Sequence, residues 1–337
     1  MADNTAEIKP KSSAASTNAT GQGSEYQANE PLPVRFTAQQ LMGMDLPEPR
    51  YAVQGLLPEG LGVLVGNPKI GKSWLVVQLC LGIARGSQVF GRYEVDQGRV
   101  LYLALEDNAR RLQSRLLMMG ETDAPEDLEI HTQWAPFPEG LSHLQGWMQK
   151  NPNARLIIID TWTKVKPPAV GNNNAYHQDS QQLTKVHQFA QHYGITVLLV
   201  HHLKKGAALD EGDWIEQISG SMGISGTADT LWHISRPRGD SKGTWRLVGR
   251  DIDEQELAAT FDSDCGKWTV EGDKDEVPST SQEEETIKAL REQGPCTPAE
   301  LATLMNESRD TIKKRCSRMC TRGKIERKDG RYVVAGG

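Results

Sequence analysis

The chain has 337 residues, of which 24% are charged, 37% hydrophobic and 6% aromatic, and this length allows one large domain plus a smaller one with ample core. A net charge of −6 argues against a uniformly basic nucleic-acid binder, so any such activity must come from local patches. Cys80, Cys265, Cys296, Cys316 and Cys320 form no C-x-x-C pair, no run approaches ~18 apolar residues and no signal-like apolar core opens the chain, which disfavours zinc modules, disulfide frameworks and membrane spans and makes the cytoplasm the expected location.

Residues 1–33 are rich in Ala, Ser, Thr, Asn and Gly, cannot repay their ordering entropy, and are expected to be a disordered tail. Residues 34–270 then read as a nucleotide domain. Leu61–Val65 is a short apolar run of the kind that forms a buried strand, and Trp74–Arg85 carries helix-spaced apolar residues without proline. Between them stands Gly66-Asn67-Pro68-Lys69-Ile70-Gly71-Lys72-Ser73, a loop of the form G-x-x-x-x-G-K-[ST]. Its glycines let the backbone curl closely enough for a ring of N–H donors to surround a polyphosphate. Lys72 supplies a cation to the β- and γ-phosphates, Ser73 a hydroxyl to Mg²⁺, and Trp74 follows in the first helical turn. The alternative is a Gly-rich turn that binds nothing.

Arg99–Ala104 reads as the next strand and delivers Glu106 and Asp107 beyond its end. A carboxylate there can polarise an attacking water, which assigns Glu106 as general base against the plainer reading of a surface acid, while Asp107 suits the N-cap of a helix over 108–119. Leu128–His131 is a short strand and Leu141–Gln149 a helix. Arg155–Asp160 is an apolar run ending in an acid, as expected of a strand buried on both faces whose Asp160 holds the metal's water shell or, alternatively, caps a turn. Gln178–Tyr193 reads as helix, and Thr196–His201, Thr230–Ser235, Thr244–Val248 and Lys267–Val270 as strands. Alternating strands and helices predict an α/β fold with a doubly wound, mostly parallel sheet and ligands at its carboxyl edge.

An acidic, Ser- and Gly-rich stretch beginning near Asp262 reads as a linker, set at 271–281. Beyond it, 282–337 reads as a small α+β winged helix-turn-helix: helices over Glu283–Gln293, Pro298–Met305 and Ser308–Arg322, then strands Lys324–Arg327 and Arg331–Val334 as the wing. Ile287, Leu290, Leu301, Leu304, Ile312, Met319, Ile325 and Val333 are its expected core. From Ser308 to Arg331 ten basic residues stand against three acids, a local +7 that leaves −13 for the rest. Such segregation suits duplex binding through Arg309, Lys313, Lys314 and Arg318 on the recognition helix and Lys328 and Arg331 on the wing, or alternatively a module that docks protein.

Gly66–Ser73, Leu103–Asp107, Ile157–Asp160, Leu199–His202 and Gly220–Asp229 resemble the successive motifs of RecA-like ATPases related to the plasmid RepA hexameric helicases. That resemblance covers about residues 50–270 and implies a RecA-like ATPase that uses ATP and Mg²⁺ at the subunit interfaces of a homo-oligomeric ring, a hexamer in that family. It makes His202 a γ-phosphate sensor and matches Arg250 to the arginine finger, with Arg236 and Arg238 as competitors. DnaB-like relatives carry a Lys two residues before the finger, where this chain has Val248. The resemblance also turns two loops toward a channel holding single-stranded DNA, one with Lys164 and Lys166, the other with Lys204 and Lys205, although four lysines are equally ordinary surface. Expected function is therefore a helicase or translocase in plasmid, phage or mobile-element replication, with other replication proteins as further partners. Its rival is an ATP-switched DNA-binding initiator, loader or regulator that does not unwind.

Overall fold

A computed structural model describes residues 35–166, 175–203, 214–218, 221–237, 239–274, 280–321 and 323–335. Residues up to Glu48 and those from Pro49 onward form separate units. In the first, Thr37 and Gln40 make a capping box at the start of the five-residue helix α1 (Ala38–Met42).

The second unit opens with an antiparallel pair, β1 (Tyr51–Val53) and β2 (Leu57–Pro58), and then alternates strand with helix. In order these are β3 (Gly60–Gly66), α2 (Lys72–Arg85), β4 (Arg99–Ala104), α3 (Ala109–Met118), β5 (Leu128–His131), α4 (Glu139–Lys150) and β6 (Ala154–Asp160). A 3-10 turn at Trp162–Lys164, α5 (Ala175–Tyr193), β7 (Thr196–His202), α6 (Ser221–Thr227) and β8 (Thr230–Ser235) follow, then β9 (Lys242–Gly249), β10 (Gln255–Asp262) and β11 (Lys267–Asp273). The sheet order is β11-β10-β9-β8-β3-β7-β6-β4-β5. From β8 to β5 every pairing is parallel, while β9, β10 and β11 extend the sheet antiparallel. This is the expected α/β, doubly wound, mostly parallel architecture.

The middle stretches of the central strands are apolar because both faces are covered. Along β6, Leu156 and Ile158 enter one core with Leu64, Leu198 and the α2 residues Leu75, Val76 and Leu79, whereas Ile157 and Ile159 enter another with Leu183, Val186 and Phe189 of α5. The antiparallel extension brings its edge strand back onto α2: the Gln78 side chain donates to the Trp268 carbonyl (2.9 Å) and accepts from the Trp268 amide (2.8 Å). β10 was not foreseen as a strand, and α6 was not foreseen as a helix.

Beyond β11 come α7 (Thr280–Gln293), α8 (Pro298–Met305) and α9 (Arg309–Thr321), then an antiparallel ribbon of β12 (Ile325–Lys328) and β13 (Arg331–Val334). Asp329 and Gly330, with φ of 49° and 80°, form the two-residue turn between those strands. The core here contains Leu290, Leu301, Ile312, Met319 and Ile325 as expected, together with Cys296, Cys316 and Tyr332. Two expected core residues differ. Leu304 is 51% exposed, and on β13 Tyr332 is buried in place of Val333, because Tyr332 and Val334 share the face packed on this core and Val333 between them points the other way.

Candidate nucleotide-binding site

The phosphate-loop sequence closes the gap between β3 and α2, and its two end glycines are required for different reasons. A Cβ on Gly66 would lie 2.5 Å from both the Ile234 carbonyl oxygen and Ile70 Cδ1, so this strand end is closed to any side chain. Gly71 has φ of +107°, in the left-handed region, and a Cβ there would meet the Trp268 indole at 3.0 Å. Gly71 is also the N-cap of α2 and offers no side-chain cap, so the first-turn N–H groups keep their capacity to bind an anion. Buried Ile70 anchors the loop between exposed Lys69 and buried Lys72. The ammonium of Lys72 donates to the carbonyls of Gly66 (2.7 Å) and Asn67 (2.9 Å). Burial lowers its pKa to about 8, while Asp160 and Glu106 work in the opposite direction.

Parallel register gathers the remaining groups. Gly66 pairs with His202, Asp160 with Val200 and Ala104 with Asp160, so three strand ends present their polar residues at one edge. Asp160 Oδ2 accepts from the Tyr102 hydroxyl (3.1 Å) and lies 3.4 Å from Ser73 Oγ. Burial pushes the Asp160 carboxyl up to about 6, with the Tyr102 hydrogen bond opposing. The oxygen-only pair of Ser73 and Asp160 fits a hard cation such as Mg²⁺, which keeps most of its ligands as water and phosphate oxygens. Glu106 Oε1 accepts from Thr161 Oγ1 (3.0 Å), and its Oε2 lies 3.9 Å from His202 Nε2. Burial, then the Lys72 charge, lowers the His202 pKa and favours a neutral ring. Asp107 is not the cap of α3. Asn108 is, accepting from the Arg111 amide at 3.0 Å, and Asp107 instead binds the guanidinium groups of Arg111 and Arg115.

The arginines separate into two places. Gly249 pairs with Thr230 and Thr230 lies in the β8 register opposite Gly62, so Arg250 stands at the far end of the sheet, about 13 Å or more along β3 from Gly66. There its guanidinium meets buried Asp229 at 3.3 Å, which also binds His187 (2.9 Å) and the Leu61 amide (2.8 Å). Arg236 is beside its own loop: Nε donates to the Ile70 carbonyl (3.2 Å) and the guanidinium lies 4.6 Å over the Phe261 ring. With Lys69, Ile70, Pro237 and Gly239 it lines a cavity of 310 Å³ adjoining the phosphate loop. Trp74 turns its ring toward Gly266 and Phe261, away from a ligand role for its side chain. Lys164 is exposed at the end of the 3-10 turn and Lys166 follows it half-buried. Lys204, Lys205 and Arg238 fall outside the described residues, as does the side chain of Arg318.

The AAA domain family matches residues 28–208, more than half of the chain, and that span holds the phosphate loop, Glu106, Asp160 and His202. The chain belongs to the AAA domain family. Among solved structures, this AAA-domain chain is similar to an ATPase domain, with a TM-score of 0.51 and 15% identity over 63% of this chain and 84% of that one. It is also similar to a DnaB-like replicative helicase described with its primase interactions, with a TM-score of 0.50 and 15% identity. That second match covers 63% of this chain and 58% of the other. At such identity the likeness establishes a shared RecA-like fold.

Several residues at or beside this site escaped the sequence reading. Tyr102 lies within an apolar strand and gave no polar signal, yet its hydroxyl holds Asp160. Trp268, 197 residues from Gly71, donates from Nε1 to the Gly71 carbonyl at 3.1 Å. Thr161 is next to Asp160 and was legible as a neighbour, but its reach to Glu106 depends on how β4 and β6 lie side by side.

Proposed function

We propose that this chain is an ATP-hydrolysing DNA helicase or translocase of the RepA type, assembled as a hexameric ring and acting in plasmid, phage or mobile-element replication. The observation that carries this reading is the convergence of Lys72, Ser73, Asp160, Glu106 and His202 at one sheet edge while Arg250 occupies the opposite end. A nucleotide held by Gly66–Trp74 has its own-chain groups at hand, whereas Arg250 serves only another subunit's nucleotide. That separation is what a ring with shared sites requires.

Within the site the α2 amides and Lys72 hold the phosphates, and the cavity beside Arg236 accepts the nucleoside. Ser73 and Asp160 hold Mg²⁺, which when bound neutralises charge on the phosphate oxygens. Glu106 takes a proton from water as that water attacks the γ-phosphorus; the bond from phosphorus to the bridging oxygen breaks, leaving ADP and phosphate. His202, kept neutral beside Glu106, contacts the γ-phosphate. Lys164, Lys166, Lys204 and Lys205 track single-stranded DNA in the channel. The C-terminal helices and ribbon act as a winged helix-turn-helix on duplex DNA, through exposed Arg309, Lys313, Lys314, Lys328 and Arg331, and through Arg318.

Strand displacement on a forked duplex, measured beside duplex binding by the same preparation, tests this reading. ATP-dependent displacement that disappears in Lys72→Ala is the expected result. Tight duplex binding and ATP turnover without displacement on any fork polarity would replace it with an ATP-switched initiator or loader.

A further inference from the structure

Thr161 is buried, 1% exposed, immediately after Asp160, and its hydroxyl has two partners. It donates to Glu106 Oε1 at 3.0 Å and lies 2.8 Å from Thr163 Oγ1. Thr161 has one proton, so when that proton goes to the carboxylate, the Thr163 hydroxyl donates to Thr161 Oγ1. The result is a chain from Thr163 through Thr161 to one oxygen of Glu106, leaving Oε2 on the side that faces His202.

The mount of this chain is rigid. Thr161 precedes the 3-10 turn in which Trp162 is 1% exposed and packs edge-on against Phe137, with ring centroids 5.5 Å apart. Val165, at the end of that turn, is fully buried, and its carbonyl accepts from the Phe137 amide at 2.7 Å. Further main-chain bonds from Lys164 to Thr161 and from Val165 and Lys166 to Trp162 close the turn. Glu106, by contrast, sits beyond the end of β4, its side chain 43% exposed and free of any strand ladder. A general base on a loop needs an external group to fix which oxygen meets the water, because a small misplacement lowers the rate without weakening binding.

We propose that Thr161, supported by Thr163, is a positioning residue for hydrolysis: it pins Oε1 of Glu106 so that Oε2 is presented to the attacking water. This rests on Glu106 being the base. Thr161 is distinct from the phosphate loop and from Asp160 in what it touches, so its removal acts on turnover alone.

The test compares wild type with Thr161→Val, Thr161→Ser, Glu106→Gln and the double variant Thr161→Val/Glu106→Gln, measuring kcat, KM and equilibrium binding of a fluorescent ATP analogue. Thr161→Val, which keeps shape and loses the hydroxyl, is expected to lower kcat about tenfold, the scale of one lost hydrogen bond to a charged group, with nucleotide affinity within about twofold of wild type. Thr161→Ser should recover most of that loss. In the Glu106→Gln background the valine should cost almost nothing further, since groups acting through one another are not additive. A full additional tenfold loss in that background, or an unchanged kcat in Thr161→Val, would overturn the assignment. Should Glu106→Gln itself turn over normally, the base assignment falls instead, and the two failures are told apart by which single variant departs from expectation. Melting temperature separates misfolding from mispositioning, because a folding defect would lower affinity and stability together and would not be relieved by serine.

Discussion

The nucleotide edge of the sheet and the C-terminal module both concentrate charge, and they use it differently. At the sheet edge strand register brings together groups far apart in sequence: Gly66, Asp160 and His202 end neighbouring parallel strands, and Asp160 there meets Tyr102 and Ser73. In the C-terminal module the cations are spread along a helix and a ribbon, and folding takes some of them for itself. Arg315 is 3% exposed and donates to both oxygens of Glu307, at 2.8 and 2.6 Å, and Lys324 binds buried Glu283 at 2.7 Å. The local +7 therefore overstates the charge offered to a partner, whereas at the phosphate-loop edge Lys72, Asp160 and Glu106 lie close enough to influence one another. Charge set by register predicts chemistry, and charge counted along a helix predicts only an upper bound.

The largest effect that sharpens this comparison is at Arg250, which the proposed ring assigns to a neighbouring subunit's nucleotide. Arg250→Ala should spare ATP binding and lower turnover by as much as roughly 10³-fold. Its pair with Asp229 contributes little to stability because the arginine is 58% exposed, so melting should change slightly. Mixing Arg250→Ala with Lys72→Ala subunits should restore part of the activity, since some interfaces then combine an intact loop with an intact arginine. No recovery in subunits shown to co-assemble would place Arg250 in a purely structural role.

Next in size is the distinction between cations inside the C-terminal module and those on it. Arg315→Ala strands Glu307, which is only partly exposed, and should destabilise the module by about 3 kcal/mol, seen as an early melting transition. Replacing Arg309 and Lys313 together should leave melting unchanged and weaken duplex binding. If exposed Arg309, Lys313, Lys314, Lys328 and Arg331 all meet phosphates, log affinity should fall with log salt at a slope near −4.5, from roughly −0.9 per contact. The ion pairs of Lys328 with Glu326 and Arg331 with Glu300 are exposed and too weak to prevent this. A salt-independent interaction would make the module a protein-docking one.

The smallest effect concerns Asp160, whose folded pKa of about 6 lies above the ordinary 3.8. A raised carboxyl pKa means the fold prefers the protonated form, so this group's stabilisation is complete below about pH 4 and is lost as pH rises through 6. Without metal, Asp160→Asn should therefore melt several degrees higher than wild type at pH 7.5 and at nearly the same temperature at pH 4. With Mg²⁺ and ATP the wild type should gain stability that the variant does not. A variant that melts lower at pH 7.5 without metal would mean that the charged carboxylate is structurally favoured.

Much of the site was legible because its residues lie in contiguous motifs whose spacing reflects strand-to-loop geometry. The apolar run Leu156–Ile159 announced a strand covered on both faces, and its terminal acid followed. The unreadable part was built by contacts across long separations. β10 alternates Leu257, Ala259 and Phe261 inward, but two of its eight residues are alanine and an acidic stretch precedes it, so its strand signal was weak. Because β10 was missed, nothing in the sequence indicated that β11 would return to α2 and set Trp268 against Gly71. Asn108 outcompeted Asp107 as the helix cap because Arg111 and Arg115 engage the aspartate, a choice decided by residues about one and two turns away.

The central claim is that the sheet edge is a hydrolytic site in which Glu106 acts on water and Lys72 on the bound phosphates. It is tested most directly by measuring ATP binding and single-turnover hydrolysis on the same preparations of Lys72→Ala and Glu106→Gln. The account predicts that Lys72→Ala loses nucleotide binding, while Glu106→Gln binds ATP as wild type does and hydrolyses it roughly 10²- to 10⁴-fold more slowly. Near-normal hydrolysis by Glu106→Gln would contradict it.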